Sequence, residues 1–227
     1  MQWYYYLIII VISYILGNWF NALFIAKLKK INLREQGSGN PGTMNMIRVF
    51  GKKLGILNFC LDMLKGALPA LLCWGILSVL FGDSTFDLNY KYIAFIAGFS
   101  AIIGTIYPIF YKFKGGKGIA TTMGVLFAVS PMVTTIAFIC GLIFIIITHH
   151  GALTSFLVIS APLIYQAISI TQISPIVNQR TVILIILFLI FFITFIAHHP
   201  NIKKLFLDND RPVILFKKKL PNKNLDT

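Results

Sequence analysis

The stretch "GIATTMGVLFAVSPMVTTIAFICGLIFIIIT", residues 118–148, decides how many times this chain crosses a membrane. It can be read as one long apolar element or as two. The "SPM" at 130–132 favours two, because proline cannot continue a helix and disfavours helix in the residue before it. Spans at about 118–130 and 132–148 follow. Working outward by the same measure, about 20 mainly apolar residues per crossing, gives further spans near 3–26, 54–81, 91–110, 152–171 and 180–198. The sequence thus predicts an all-α integral membrane protein with seven transmembrane helices in a single membrane domain, 1–227, ending in a basic tail, 199–227.

Composition agrees with that reading. Of 227 residues 57% are hydrophobic and only 12% charged, against about a quarter charged in soluble domains. Seven spans place the termini on opposite sides and gather 17 of the 20 Lys and Arg on one of them, in the loops 27–53 and 111–117 and in the tail. The basic side is expected to be cytoplasmic, leaving the N-terminus outside. Merging the two central spans would send the tail and its seven cations outward. The formal charge of +13 is therefore accounted for by topology, and no nucleic-acid partner is expected. The first apolar run, from Trp3, lacks a charged segment before it and a small-residue cleavage site after it, so it should stay as a span. Cys60, Cys73 and Cys140 fall inside apolar runs, without metal or disulfide spacing, and are expected to pack. No metal or cofactor is expected.

Three polar stretches break the apolar pattern, all on the basic side. In "GSGNPGTMN", 37–45, Gly37, Gly39 and Gly42 let a ligand approach the main chain. Ser38 or Asn40 is placed to cap a helix beginning near Pro41. A helix start offers free N–H groups and partial positive charge to a phosphate, and Arg48 adds a fork that holds phosphate at two points. In "YKFKGGKGIATT", 111–122, Lys112, Lys114 and Lys117 surround Gly115, Gly116 and Gly118, forming an anion nest ahead of a helix. It is not a P-loop, since Gly118 follows Lys117 where Ser or Thr is required. In "AHHPNIKKL", 197–205, His198 or His199 offers an acid or base near neutral pH, with Asn201, Lys203 and Lys204 beside it. The plainer readings are a flexible loop, a topology-setting basic turn and interfacial anchoring. Within the second predicted span, Asp62 and Lys65 are three apart and share a helix face, which suggests structural support for the glycine loop.

Taken in order, "GSGNPG…N…R…GKK…D..KG", "YPIFYKFKGGKGIAT" and "H..NIKKL" resemble the three motifs of the bacterial acyl-phosphate-dependent glycerol-3-phosphate acyltransferases, the seven-span PlsY family. The resemblance covers about residues 36 to 205. It implies a multi-pass enzyme of the bacterial inner membrane that begins phospholipid synthesis. Its partners would be acyl phosphate, glycerol 3-phosphate and membrane lipid, and the chain would act as a monomer without cofactor. By the same carry-over Ser38, Asn40, Arg48, Lys114, Lys117, His198 and Asn201 form the site on the cytoplasmic face. The chain departs from the family pattern at Met44, at Thr105, where the family commonly has His, at Ala197 and His199, and at Asp208 and Asp210. A small-anion transporter is the competing reading, but it ought to carry its polar groups near the bilayer midplane and often an internal repeat.

Overall fold

The computed structural model describes the backbone of residues 3–80, 88–173 and 177–206, and over these it contains helices and turns but no strand. In chain order the helices are α1 (Trp3–Gly17), α2 (Asn21–Leu28), α3 (Thr43–Phe50), α4 (Lys52–Leu80), α5 (Leu88–Ile106), α6 (Ile119–Val129), α7 (Pro131–Thr148), α8 (Gly151–Ile173) and α9 (Val177–Phe206). Two short 3-10 turns, Leu33–Glu35 and Ile109–Tyr111, lie between them.

The break expected at "SPM" is present. Ser130 leaves helical geometry at φ −152° and ψ 69°, and Pro131 opens α7, where its missing N–H costs nothing. Six helical segments among the described residues have the length and apolarity to cross a bilayer. α6 is the exception. Its 11 residues rise about 16 Å, roughly half of a hydrocarbon core. Eight of its 11 residues are buried, so neighbouring helices surround it, and the short helix and its turn are satisfied by protein.

The first span is not continuous. α1 stops at Gly17 and α2 begins at Asn21. A Cβ at Gly17 would collide with the Ala101 carbonyl, so α1 and α5 approach backbone to backbone there. The freed polar groups find partners: Asn18 Nδ2 donates to the Tyr14 carbonyl at 2.6 Å, and Lys65 Nζ donates to that of Trp19 at 2.6 Å. The last span also differs from expectation, since α9 continues past 198, through Pro200, to Phe206.

The core is a cluster from α5, α6, α8 and α9 that includes Phe95, Ile102, Leu126, Ile159, Ile183 and Ile190, all fully buried. Between apolar helices in lipid, close packing supplies the cohesion that water-driven burial supplies elsewhere. The α4–α6 contact shows how: Gly66 faces the Thr121 carbonyl and Gly124 faces that of Met63, with no room for a Cβ at either. The large exposed residues, Ile136, Ile147 and Phe188 among them, belong to the outer, lipid-facing surface. Cys60 and Cys140 lie there too and Cys73 is only partly covered, so the packing role expected of the cysteines is not what two of them do. Their positions on outward helix faces decide it.

Candidate active site

The first glycine stretch folds around one buried side chain. Asn45, in the first turn of α3 and 1% exposed, accepts from the Ser38 N–H through Oδ1 at 2.8 Å. Its Nδ2 donates to the carbonyls of Gln36 at 3.0 Å and Leu33 at 3.5 Å. One carboxamide thus fixes three points of the loop, as its donor and acceptor inventory allows. Gly37 has φ +61°, and a Cβ there would strike Asn45 Oδ1, so both the backbone angle and the space demand glycine. α3 starts later than Pro41 and is capped by Gly42 in extended geometry, not by Ser38 or Asn40. The Asn45 and Met46 N–H groups close on the Gly42 carbonyl at 3.1 Å. Ser38 is consequently exposed, with Asn40 and Gly39 partly so. Arg48 is exposed in the last turn of α3, about 7.5 Å along the axis from Thr43. It would have to reach back along the helix to meet an anion at Gly42.

The second stretch is anchored from several directions. Tyr14 of α1 donates its hydroxyl to the Tyr107 carbonyl at 2.7 Å and accepts the Ile109 N–H at 3.1 Å. The Phe20 ring meets Tyr111 edge-on, centroids 4.9 Å apart. Lys112 and Phe113 both lie in the left-handed region, at φ 53° and 57°, a conformation non-glycine residues adopt at a cost. The chain then returns to the end of α5. Gly116 N–H donates to the Thr105 carbonyl at 2.9 Å, and a Cβ on Gly115 would overlap the Thr105 and Ile106 carbonyls. Thr105 is itself a junction: its buried hydroxyl lies 3.2 Å from the Gly17 carbonyl, 3.0 Å from that of Ala101 and 3.2 Å from Thr121 Oγ1. Gly118 caps α6. Lys114 is exposed and Lys117 half-buried.

On α9, His198 is 3% exposed, with its ring edge-on to Phe156 of α8 at 5.4 Å. Its Nδ1 lies 2.9 Å from the Thr194 carbonyl. A carbonyl only accepts, so that bond places the proton on Nδ1 and leaves the Nε2 lone pair available in the neutral ring. Asn201, three residues on along the same helix, shares its face. Ala197 packs against the core and His199 is exposed.

The three stretches meet. Arg34 Nη2 donates to the Lys114 carbonyl at 2.7 Å, joining the first stretch to the second. Lys117 stands within electrostatic reach of His198, joining the second to α9. Asp62 and Lys65 form an ion pair at 2.7 Å. Asn58 and Asn21 also donate to Asp62, at 2.9 and 3.4 Å. This group holds the α1–α2 break and reaches the glycine loop through α2, whose Ala22 and Ala26 pack with Leu33 and Met46, and through α4, whose Leu54 packs on the same cluster. A cavity of about 330 Å³ opens beside the loop between Leu23 and Leu33, with Lys27 and Lys30 among its lining, but none of the expected site residues borders it. Among the described residues no cluster of His, Cys, Asp or Glu is grouped as metal ligands. Asp208, Asp210 and the basic tail from 207 onward lie outside the described residues, as do the side chains of Lys203 and Lys204.

Sequence reasoning missed the organisers. Asn45 was legible as a lone carboxamide on the inward face of a short amphipathic helix; Tyr14 and Arg34 act across 80 or more residues of chain and carried no local signal, and Thr105, visible only as a departure from the family pattern, gave no sign that it joins Gly17 to Gly116.

Known proteins share this fold. The family model described as glycerol-3-phosphate acyltransferase matches residues 7–208. The glycerol-3-phosphate acyltransferase of Aquifex aeolicus is 43% identical over 136 residues, 60% of this chain and 66% of that one. That of Thermoanaerobacter pseudethanolicus is 34% identical over 196 residues, 86% and 89% of the two. The crystal structure of PlsY (YgiH), an integral membrane glycerol 3-phosphate acyltransferase in its glycerol 3-phosphate form, matches with a TM-score of 0.77 at 31% identity, covering 94% of this chain and 100% of the other. Its lysophosphatidic acid form matches with a TM-score of 0.76 at 30% identity. With the family model matching residues 7–208 and the fold matching over 94% of its length, the chain belongs to the glycerol-3-phosphate acyltransferase family of integral membrane proteins.

Proposed function

We propose that the protein transfers a fatty acyl group from an acyl phosphate to the sn-1 hydroxyl of glycerol 3-phosphate, giving lysophosphatidic acid and inorganic phosphate. The observation that carries this reading is the direct bond between two glycine-rich, lysine- and arginine-bearing stretches, from Arg34 Nη2 to the Lys114 carbonyl. Both substrates carry a phosphate, and two anion-holding turns match two phosphates.

The chemistry needs no covalent enzyme intermediate. The glycerol hydroxyl oxygen attacks the acyl carbon, the ester bond forms, and the acyl C–O bond to phosphate breaks. The hydroxyl proton goes to His198 Nε2 or to a substrate phosphate oxygen, and the electron pair leaves with inorganic phosphate. Lys114, Lys117 and Arg48 neutralise the two substrates and stabilise the charge that leaves, while Ser38, Asn40, Asn201 and the glycine N–H groups orient them. The charge asymmetry of the loops supports a cytoplasmic site in the bacterial inner membrane, an outer N-terminus and seven spans with α6 as the fourth. The chain would work as a monomer. A transporter would carry its polar groups at mid-membrane, whereas here the phosphate-binding groups lie in and around the turns joining the helices.

The test uses purified protein in detergent with palmitoyl phosphate and glycerol 3-phosphate, following phosphate release. Release that requires both substrates and falls to background in Ser38→Ala and Arg48→Ala, with no lysophosphatidic acid formed when palmitoyl-CoA replaces palmitoyl phosphate, supports the reading. No release beside an active control enzyme overturns it. Full activity in His198→Ala removes that residue from the role of base.

A further inference from the structure

We infer that Arg34 is a positioning residue for this reaction, a strut that sets the separation of the two phosphate-holding turns; the inference rests on the acyl transfer proposed above. The first stretch supplies its footing. Leu33 beside it is 1% exposed and packs with Ala22, Ala26 and Met46. The Arg34 N–H donates to Asn32 Oδ1 at 3.2 Å, and its carbonyl lies so close to Gly39 that a Cβ there would approach it to 2.8 Å. The backbone of Arg34 is therefore built into the same loop that exposes Ser38. Its side chain leaves that loop and ends on the second one, with Nη2 2.7 Å from the Lys114 carbonyl.

The acceptor explains why the bond matters. The Lys114 carbonyl lies on the peptide between Lys114 and Gly115, one step before Gly116 is tied to Thr105. Arg34 grips that segment from the first turn while Thr105 grips it from α5. Between these two holds the chain directs Lys114 outward and leads to Lys117. A backbone acceptor also makes the contact independent of which side chain stands at 114, so an arginine at 34 fixes main-chain position where a carboxylate partner would fix only a side chain. The donor is charged and the bond short, which places it among the stronger hydrogen bonds. One of five guanidinium donors is used here.

If the two turns each hold one phosphorylated substrate, their spacing sets the distance between the attacking hydroxyl and the acyl carbon. A displacement of about 1 Å at that point costs about 100-fold in rate. Arg34→Ala should accordingly lower kcat about 10- to 100-fold, with the KM values for palmitoyl phosphate and glycerol 3-phosphate changing much less, because each turn still binds its own phosphate. Arg34 is exposed, so the protein's thermal midpoint should stay near that of wild type. Arg34→Lys, which keeps one charged donor on a long stem, should recover part of the loss. Guanidinium ion at millimolar concentration should raise the kcat of Arg34→Ala and leave wild type unaffected.

Steady-state kinetics of the full-length protein, wild type and both variants, decide the matter. The kcat-dominated loss with guanidinium rescue supports the strut. A kcat for Arg34→Ala equal to wild type overturns it, as does a loss confined to KM, which would make Arg34 a substrate ligand, or a loss without rescue that follows a fall in thermal midpoint. An inactive wild type overturns the acyl transfer itself, and the strut with it, so the two failures are told apart by the wild-type arm.

Discussion

The two glycine turns look alike as text and are built differently. The first, 33–45, stands on an apolar footing against α2 and takes its shape from within: the three side-chain hydrogen bonds of Asn45 all land inside it. The second, 107–118, adds to its own backbone turns holds from outside, by Tyr14 and Phe20 near the α1–α2 break, by the Thr105 carbonyl on α5 and by Arg34 from the other turn. A self-contained loop can keep its shape through movements of the helices around it. A loop suspended from three elements takes its shape from them, and any shift of α1 or α5 is passed to Lys114 and Lys117.

The comparison can be broken first at its strongest point. Asn45→Ala removes three bonds and leaves the Leu33 carbonyl buried without that partner, at about 1–3 kcal/mol for a buried unsatisfied group, and frees the loop at Ser38 and Gln36. Phosphate release should fall by more than about 100-fold, and limited proteolysis should cut within 33–42 while sparing 107–118. Cleavage of both turns would mean the first is not self-contained.

A middle-sized effect is expected at Thr105. Thr105→Val deletes the hydroxyl and its contacts with Gly17, Ala101 and Thr121 but keeps the carbonyl that receives Gly116 N–H. At about 1 kcal/mol per net hydrogen bond, the thermal midpoint should drop by several degrees and activity by about tenfold, with Thr105→Ser restoring most of both. Indifference to Val would show that the α5 carbonyl alone supports the second turn.

The smallest effect should be at Lys112, where the backbone is left-handed. Lys112→Gly relieves about 1–2 kcal/mol of strain and gives back about 0.5–1 kcal/mol through the freer unfolded chain. The net stability change, read from a thermal melt in detergent, should lie within about 1 kcal/mol and favour the variant. A clear loss would show that the lysine side chain holds the turn.

Much of this was legible in one dimension. Apolar runs overlap the long helices, though α9 runs on to Phe206 and the first run is split, and "SPM" gave the α6–α7 break because proline acts on its own backbone and on the residue before it. The break at 18–20 was not legible, because "GNWF" carries no breaker stronger than glycine; Lys65, 46 residues away in sequence, provides the bond for the Trp19 carbonyl. Nor was the continuation of α9 past Pro200: at the end of a span, other groups can take up the hydrogen bond proline forfeits. The cap of α3 was misplaced because Ser38 and Asn40 are good caps by type, while the loop holds Ser38 through its N–H on Asn45 and leaves Gly42 at the helix start.

By itself, then, the sequence determined that this is a helical membrane protein with two basic glycine turns and a histidine-bearing last helix, because hydropathy, glycine and proline act on the residues beside them. Only the tertiary structure decided which groups hold those turns and that they face one another. That is because a hydrogen bond such as Arg34 to Lys114 depends on where two distant backbones come to rest, and no local preference along the chain encodes that position.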